Sequence, residues 1–180
     1  MTFAGHILTG LSLGVLAMPR RWPWNHKAAM LLSYVVLALG PDWKFPGWGH
    51  YRYDISHGLM MNLLIVGVPA IVLLLWAAAR RKLGGTAVIV GGVAAELAHL
   101  LLDSFYNHGN GVMIGWPFNR YHLNLAMPWF RSMVAAWNLD FARVIAIELL
   151  FYGSLLVVCL SARRVAISVS LRRKVRPGPL

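Results

Sequence analysis

The chain has 180 residues, 58% of them hydrophobic, and carries 17 Lys and Arg against 6 Asp and Glu, which gives a formal net charge of +11. Only 13% of its residues are charged, compared with about 25% in a typical soluble domain. These values exclude an ordinary soluble globule and an intrinsically disordered chain. The single cysteine, Cys159, excludes a disulfide framework and a cysteine-based zinc site.

Five hydrophobic runs predict an all-α, polytopic membrane helical bundle. In chain order they cover residues 3–18, 28–40, 59–79, 83–102 and 144–162. The last three have the length that a helix needs to cross a hydrocarbon core, about 20 residues. The first two are shorter, and we interpret the first as a retained helix because its basic pair follows it. Residues 1–162 are therefore predicted to form one membrane-embedded domain, and residues 163–180 a basic tail.

A tryptophan-rich stretch, residues 107–138, separates the fourth and fifth runs. Tryptophan is enriched at the depth of the lipid headgroups. Within this stretch, residues 125–136 predict an amphipathic helix that lies on the membrane. Such a helix either covers a site or simply connects two membrane helices.

Basic residues orient the predicted helices. Twelve of the 17 follow the first, third or fifth run, so they share one side if every run crosses the membrane: Arg20, Arg21, Lys27, Arg80, Arg81, Lys82, Arg163, Arg164, Arg172, Arg173, Lys174 and Arg176. The positive-inside rule makes that side cytoplasmic and places the C-terminus there. Because topology explains the basic tail and no aromatic residues interleave it, we expect membrane lipids as partners and no nucleic acid.

The same topology places six of the seven histidines and most of the scarce acids on the opposite, periplasmic side. The strongest local pattern is Glu96, His99 and Asp103, which share one helical face at spacings of three and four residues. Ionisable residues in membrane spans are costly and usually face a partner or a cavity. By themselves, His99 and Asp103 are equally consistent with a metal-binding pair and with a buried hydrogen bond that fixes helix packing.

With Asp42 and His57 on the same side, His99 and Asp103 form a set of two imidazoles and two carboxylates. That set suits zinc, manganese or iron, with zinc as our first expectation. His6 would join Asp103 at a second ion, so we expect one or two divalent transition metals. Two ions about 3.5–4 Å apart would support a displacement at phosphorus.

Further residues are candidates for binding substrate or moving protons. An arginine fork matches two phosphate oxygens, and the candidate substrate-binding residues are Lys44, Arg52, Arg120 and His122. Asp54 and Glu96 are candidates for taking a proton from water. Arg52 is also a candidate catalytic residue.

Four motifs together resemble the YdjM-like family of bacterial inner-membrane metal-dependent hydrolases. They are GHILTG, LGPDW, an arginine-containing segment that ends in ISHG, and AHLLLDSFYNHGNGVMIGWPF, and they cover residues 4–120. The resemblance implies a metal-dependent hydrolase in the bacterial inner membrane, and some family members are described as binding a regulator protein. The chain departs from the family pattern at Arg52-Tyr53-Asp54, where the family has His-Arg-Gly.

The order of the ligands, His, Asp, His and His-x-x-x-Asp, is also similar to that of zinc-dependent phospholipase C. That enzyme's third metal site needs a later His-x-x-x-Glu, which this chain lacks. The leading hypothesis is a membrane-embedded phosphoesterase that acts on a lipid or lipid-linked phosphate. The alternative is a non-enzymatic membrane scaffold, or a subunit that binds a protein partner, with a structural metal site. An open coordination position would favour the enzyme.

Overall fold

The computed structural model describes residues 2–43, 53–80, 85–106, 111–125, 127 and 139–175. The helices in these ranges are α1 (Phe3–Ala17), α2 (Trp24–Ala38), α3 (Gly40–Trp43), α4 (Tyr53–Ser56), α5 (Leu59–Asn62), α6 (Val68–Ala79), α7 (Thr86–Asp103) and α8 (Leu139–Val175). One π-helical turn, Leu63–Gly67, joins α5 to α6 without a break. These ranges contain no strand beyond an isolated bridge between Val112 and Leu123, which confirms the all-α prediction.

The five predicted runs correspond to α1, α2, the continuous α5–α6 helix, α7 and α8. Three helices are long and apolar enough to cross a membrane: Leu59–Ala79, Thr86–Asp103 and Phe141–Ser170. The helices α1 and α2 have 15 residues each, which corresponds to about 22 Å at 1.5 Å per residue. They are therefore shorter than a hydrocarbon core of about 30 Å.

The last helix is much longer than its hydrophobic run. It has 37 residues and continues to Val175, so most of the basic stretch predicted as a tail belongs to it. The amphipathic helix predicted at residues 125–136 lies almost entirely outside the described residues, which include only Leu125 and Met127 of it.

Two glycines allow α1 to pack closely against α2. A Cβ atom at Gly10 would lie 2.7 Å from the backbone oxygen of Tyr34, and one at Gly14 would lie 2.8 Å from the side chain of Leu31. Small residues four positions apart let two helix backbones approach in this way, which is common in membrane bundles. The close contact fixes how α1 is positioned relative to the end of α2.

The helices alternate in direction, so the start of α1, the end of α2, the start of α5 and the end of α7 meet at one end of the bundle. We call this the site end. The loop 111–125 is attached there, because Leu59 donates to the Ile114 carbonyl at 3.1 Å and Leu125 donates to the Ser104 carbonyl at 2.7 Å. Its first residue, Gly111, has a φ of +89°, a conformation that favours glycine.

A buried acid on α8 caps α1 at the site end. The carboxylate of Glu148 accepts hydrogen bonds from the Thr2 amide at 2.8 Å, the Gly5 amide at 3.0 Å and the Thr2 hydroxyl. The first amides of a helix have no partner within the helix and carry its positive dipole end, so a carboxylate stabilises them. Glu148 thus pairs with polar groups at the start of a neighbouring helix.

A base on α8 caps the other end of α1. Arg163 donates from Nη1 to the Val15 carbonyl at 2.6 Å and to the Met18 carbonyl at 2.8 Å. Glu148 and Arg163 are 15 residues apart, which is also the length of α1. The parallel helix α8 therefore stabilises both ends of the α1 dipole and fixes the position of α1 along the bundle.

Replacing Glu148 with Gln, which has a side chain of the same size, should destabilise the protein. We expect the free energy of unfolding to fall by about 1.5–3 kcal/mol because three donors lose a charged acceptor. Each kcal/mol should lower the Tm in detergent by about 2–4 °C for a chain of this length. The control is Ser154→Ala, which removes an exposed hydroxyl bonded only to the Leu150 carbonyl of the same helix. Equal Tm values for the two variants would contradict the cap.

Candidate metal centre

Four side chains from three parts of the chain meet at the site end. They are Asp42 on α3, His57 in the turn after α4, and His99 and Asp103 on the last two turns of α7. One ligand atom from each lies within 4.8 Å of every other. We call these four residues the metal cluster. The fold therefore brings together the four residues that were predicted to share one site.

Five of the six distances among the four ligand atoms are close to those of a tetrahedron around one ion. The Nε2 atoms of His57 and His99 are 3.1 Å apart, and each lies 3.3 Å from Oδ2 of Asp103. Oδ1 of Asp42 lies 3.5 Å from Nε2 of His57 and 3.7 Å from Nε2 of His99. Ligands about 2.0–2.1 Å from a zinc ion would be roughly 3.3–3.4 Å apart at tetrahedral angles. The five distances lie on both sides of that value.

Hydrogen bonds at Nδ1 orient the imidazole rings of His57 and His99. Nδ1 of His99 lies 2.7 Å from the Ala38 carbonyl, and because a carbonyl can only accept, Nδ1 carries the hydrogen. In the neutral ring this leaves the lone pair on Nε2, which faces the cluster. Nδ1 of His57 is paired with the Ser56 hydroxyl at 2.8 Å. Such outer contacts are how proteins orient metal-binding histidines.

The donor atoms of the metal cluster suit a cation. Two carboxylate oxygens and two imidazole nitrogens are electron-rich atoms, and at 3.1–3.7 Å they repel one another unless positive charge lies between them. A proton can serve one pair of these atoms, whereas a divalent metal serves all four. The donor set therefore fits a metal such as zinc.

The two cluster residues that lie outside the membrane-spanning helices have shifted pKa values. Burial acts to lower the pKa of His57, but contacts with Asp103 and Asp42 outweigh it, so its pKa is raised. Burial acts to raise the pKa of Asp42, but the contact with His57 and the nearby His99 outweigh it, so its pKa is lowered. Both directions follow from the mutual stabilisation of opposite charges.

His6 contacts the oxygen of Asp103 that does not face His57 and His99. Its Nε2 is 3.3 Å from Oδ1 of Asp103, and its ring stacks on His99 with centroids 3.7 Å apart and planes within 5°. Asp103 thus directs Oδ2 to the metal cluster and Oδ1 to His6. His6 and Asp103 together would supply two ligands to a second ion, the role predicted for them.

Three groups that orient the site were not identified from the sequence. The Ala38 carbonyl is among the last carbonyls of α2, which have no partner within the helix. The Ser56 hydroxyl holds His57. The buried Asn62 donates to the Ser56 and Gly58 carbonyls at 2.8 and 2.9 Å and so fixes the turn that carries His57. Asn62 was recognisable as the polar residue in an otherwise apolar run.

The other predicted site residues lie on different parts of the chain, and some lie outside the described residues. Glu96 is fully buried on α7, one turn before His99, and is not a member of the metal cluster. Arg120 and His122 lie on the loop 111–125, where Nδ1 of His122 is 2.8 Å from the Arg120 carbonyl. The backbone of Asp54 lies in α4, next to the turn that carries His57. Lys44 and Arg52 lie outside the described residues, and the roles predicted for all these residues stay predictions.

The four cluster residues differ in their access to solvent. The side chains of His57, His99 and Asp103 are buried, whereas that of Asp42 is 31% exposed. A ligand from outside the protein can therefore approach the metal cluster on the Asp42 side.

Comparisons with protein-family models, with curated proteins and with solved structures find no match, so the resemblance to the YdjM-like family remains a prediction from the motifs.

We expect the purified protein to hold one equivalent of zinc at the metal cluster. His99→Ala and Asp103→Ala each remove one of four ligands and should abolish the bound metal. His122→Ala removes an imidazole outside the cluster and should leave the metal content unchanged. Plasma mass spectrometry on monodisperse protein in detergent measures each ratio. Equal metal content in all four proteins would contradict the site.

His6→Ala distinguishes one ion from two. If His6 only orients Asp103, the protein keeps one equivalent of zinc and loses about 10–100-fold in affinity. If His6 binds a second ion, the metal content falls from two equivalents to one. The same mass spectrometry, combined with a chelator titration, separates these results.

Zinc binding should weaken as the pH falls. His57 has a raised pKa, so it keeps its proton to a higher pH than a free histidine, and zinc must displace that proton. Below that raised pKa we expect the Kd to rise on the order of tenfold per pH unit for each proton displaced, and above it to level off. Competition with a chelator between about pH 5.5 and about pH 8 measures this. A Kd that is constant across the range would contradict it.

Proposed function

We propose that this protein is a membrane-embedded, metal-dependent hydrolase that acts on the phosphate ester of a lipid or lipid-linked substrate. One observation carries the proposal: four ligand atoms, all within 4.8 Å of one another, converge at the end of membrane-length helices, and only Asp42 of the four is partly exposed. A ligand set of this composition suits zinc, and one accessible edge gives a substrate a route to it.

The residues of the metal cluster would have two roles: some would hold the metal ion, and one lies where a substrate can reach it. A bound zinc ion supplies Lewis acidity and lowers the pKa of a coordinated water towards neutrality. Asp103, His57 and His99 would hold the ion from the buried side, where His6 positions the Asp103 carboxylate and the Ala38 carbonyl positions the His99 ring. Asp42 lies at the accessible edge, where it would either be a ligand or accept a proton from water.

The location of the site favours a lipid substrate. The metal cluster lies at the ends of α2 and α7 and at the start of the α5–α6 helix, and the last two of these are long enough to cross a membrane. Helix ends of this kind lie near the depth of lipid headgroups. A phosphate ester in the headgroup region could therefore reach the Asp42 edge without leaving the membrane.

The proposal includes a location and a family. Arg20 and Arg163 lie at the end of α1 opposite the metal cluster, as expected if the basic end faces the cytoplasm of a bacterium. The site would then face the periplasm across the inner membrane. Membership of the YdjM-like hydrolases would agree with this arrangement.

One observation favours a second candidate, a membrane scaffold or partner-binding subunit with a structural metal. Four protein ligands are enough to fill a tetrahedral zinc site, and filled sites are usually structural. In that case the ion contributes free energy of folding by holding α3, the turn at His57 and α7 together.

An activity assay with matched variants tests the two candidates. The zinc-loaded full chain is assayed in detergent micelles for phosphate release from phosphatidic acid and from a polyprenyl phosphate, and for headgroup release from phosphatidylglycerol. The enzyme hypothesis predicts turnover that falls on the order of 100-fold or more in Asp103→Asn. Ser154→Ala, which lies outside the metal cluster and the candidate substrate-binding residues, is the control.

The stability of the metal-free protein completes the test. A protein that hydrolyses none of the three phosphates, but whose Tm falls sharply when a chelator removes the metal, has a structural site. Turnover that persists in a folded, metal-free Asp103→Asn variant would contradict metal-dependent hydrolysis.

A further inference from the structure

A second candidate site lies along α2, from the basic end of the bundle to Leu37. A cavity of about 590 Å³ separates α2 from α6 and α7. Its walls are mostly aliphatic and come from all three helices, including Met30, Leu37, Ile65, Leu73 and Val93. The volume lies within the range of about 300–1,000 Å³ that is typical of sites for small molecules.

The two hydroxyl groups on the walls are already bonded within the protein. The Tyr34 hydroxyl donates to the Val88 carbonyl at 2.6 Å, and the Ser33 hydroxyl donates to the Ala29 carbonyl at 2.9 Å. Water in a cavity needs two to four polar partners, and these bonded hydroxyls are poor ones. The walls therefore suit a hydrocarbon. Because α6 and α7 belong to membrane-length helices, the hydrocarbon at hand is the acyl chain of a lipid.

Basic residues adjoin, in the chain, the two residues that line one end of the cavity. Trp22 and His26 line it where α2 begins, with their rings in edge contact at 6.1 Å. Arg21 is exposed and adjoins Trp22 in the chain, and Lys27 adjoins His26. The first acidic residue of the chain is Asp42, so no acid from the first 41 residues offsets these charges. Tryptophan next to lysine and arginine is typical of headgroup depth.

We infer that this cavity binds one acyl chain of an anionic phospholipid, whose headgroup phosphate lies against Arg21, His26 and Lys27. The apolar volume accounts for the chain, and the unopposed positive charge at its mouth selects an anionic headgroup over a zwitterionic one. The site shares no residue with the metal cluster, although its wall extends to Leu37, which precedes the Ala38 carbonyl that orients His99. Loss of metal binding or of hydrolysis would leave it intact.

Native mass spectrometry of the full chain in mild detergent tests this site with two defined probes. Dioleoyl phosphatidylglycerol is the anionic lipid, and dioleoyl phosphatidylcholine is the zwitterionic lipid with the same acyl chains. We expect one phosphatidylglycerol molecule to bind at least fivefold more tightly than phosphatidylcholine, since each cation near the headgroup contributes a factor of about five. Equal affinity for the two lipids would overturn the headgroup assignment.

A matched pair of tryptophan substitutions tests the chain site. Ser33→Trp places an indole in the cavity and should weaken phosphatidylglycerol binding about tenfold or more. Leu32→Trp makes a similar change at the next residue, which is 66% exposed and is not part of the cavity wall, and should bind lipid like the original protein. Ala29→Trp is a second filling variant. Undiminished binding in folded Ser33→Trp and Ala29→Trp would overturn the proposal.

A charge variant tests the mouth without altering the cavity. Arg21→Gln combined with Lys27→Gln should reduce the preference for phosphatidylglycerol to near that for phosphatidylcholine and leave phosphatidylcholine binding unchanged. The metal content of each variant reports whether the distant end of the bundle has folded. A lipid-free dimer as the main species would show that a second copy occupies the cavity, and it too would overturn the proposal.

Discussion

Asp103 is the residue on which the site end of the bundle depends. A carboxylate buried at the end of a membrane helix is costly unless it is paired with positive charge or with hydrogen-bond donors. Here one oxygen faces His57 and His99, and the other faces His6. These three histidines come from three separate elements, so satisfying one buried carboxylate requires the ends of several helices to meet. That requirement explains why the metal cluster and the packing of α1 against α7 occur together.

The longest helix contributes to this site through α1. Glu148 and Arg163 of α8 bond the two ends of α1, and α1 in turn carries His6 to Asp103. Much of the rest of α8 is exposed, as expected for a helix that faces lipid. One buried and one partly buried polar contact, spaced to match the length of α1, therefore add to the packing of α8 against α1. In a membrane such contacts are valuable because lipid offers the backbone ends no alternative partner.

The two ends of the bundle have opposite chemical character. At one end acids and histidines converge on the metal cluster, and at the other Arg20 and Arg163 lie near the end of α1. Charge is thus separated along the helix axes, with aliphatic residues between. The first end suits a cation and the phosphate ester that it would polarise, and the second suits an anionic headgroup. Both proposed functions place a lipid phosphate at a membrane surface, though on opposite sides.

The sequence by itself determined the hydrophobic helices and the chemistry of the metal cluster. The spacing of Glu96, His99 and Asp103 assigns them to one helical face because helix geometry is local, and alternating helix directions bring Asp42 and His57 to the same end. Only the tertiary structure decided how His6 stacks on His99, which carbonyl orients His99, and what Glu148 bonds. The residues in these contacts are at least 61 positions apart, and those joined by the Glu148 contact with Gly5 are 143 apart. The contacts depend on how far each helix is rotated and shifted against its neighbour. Helical periodicity identifies a buried face, but the partner of that face is fixed only when the helices pack.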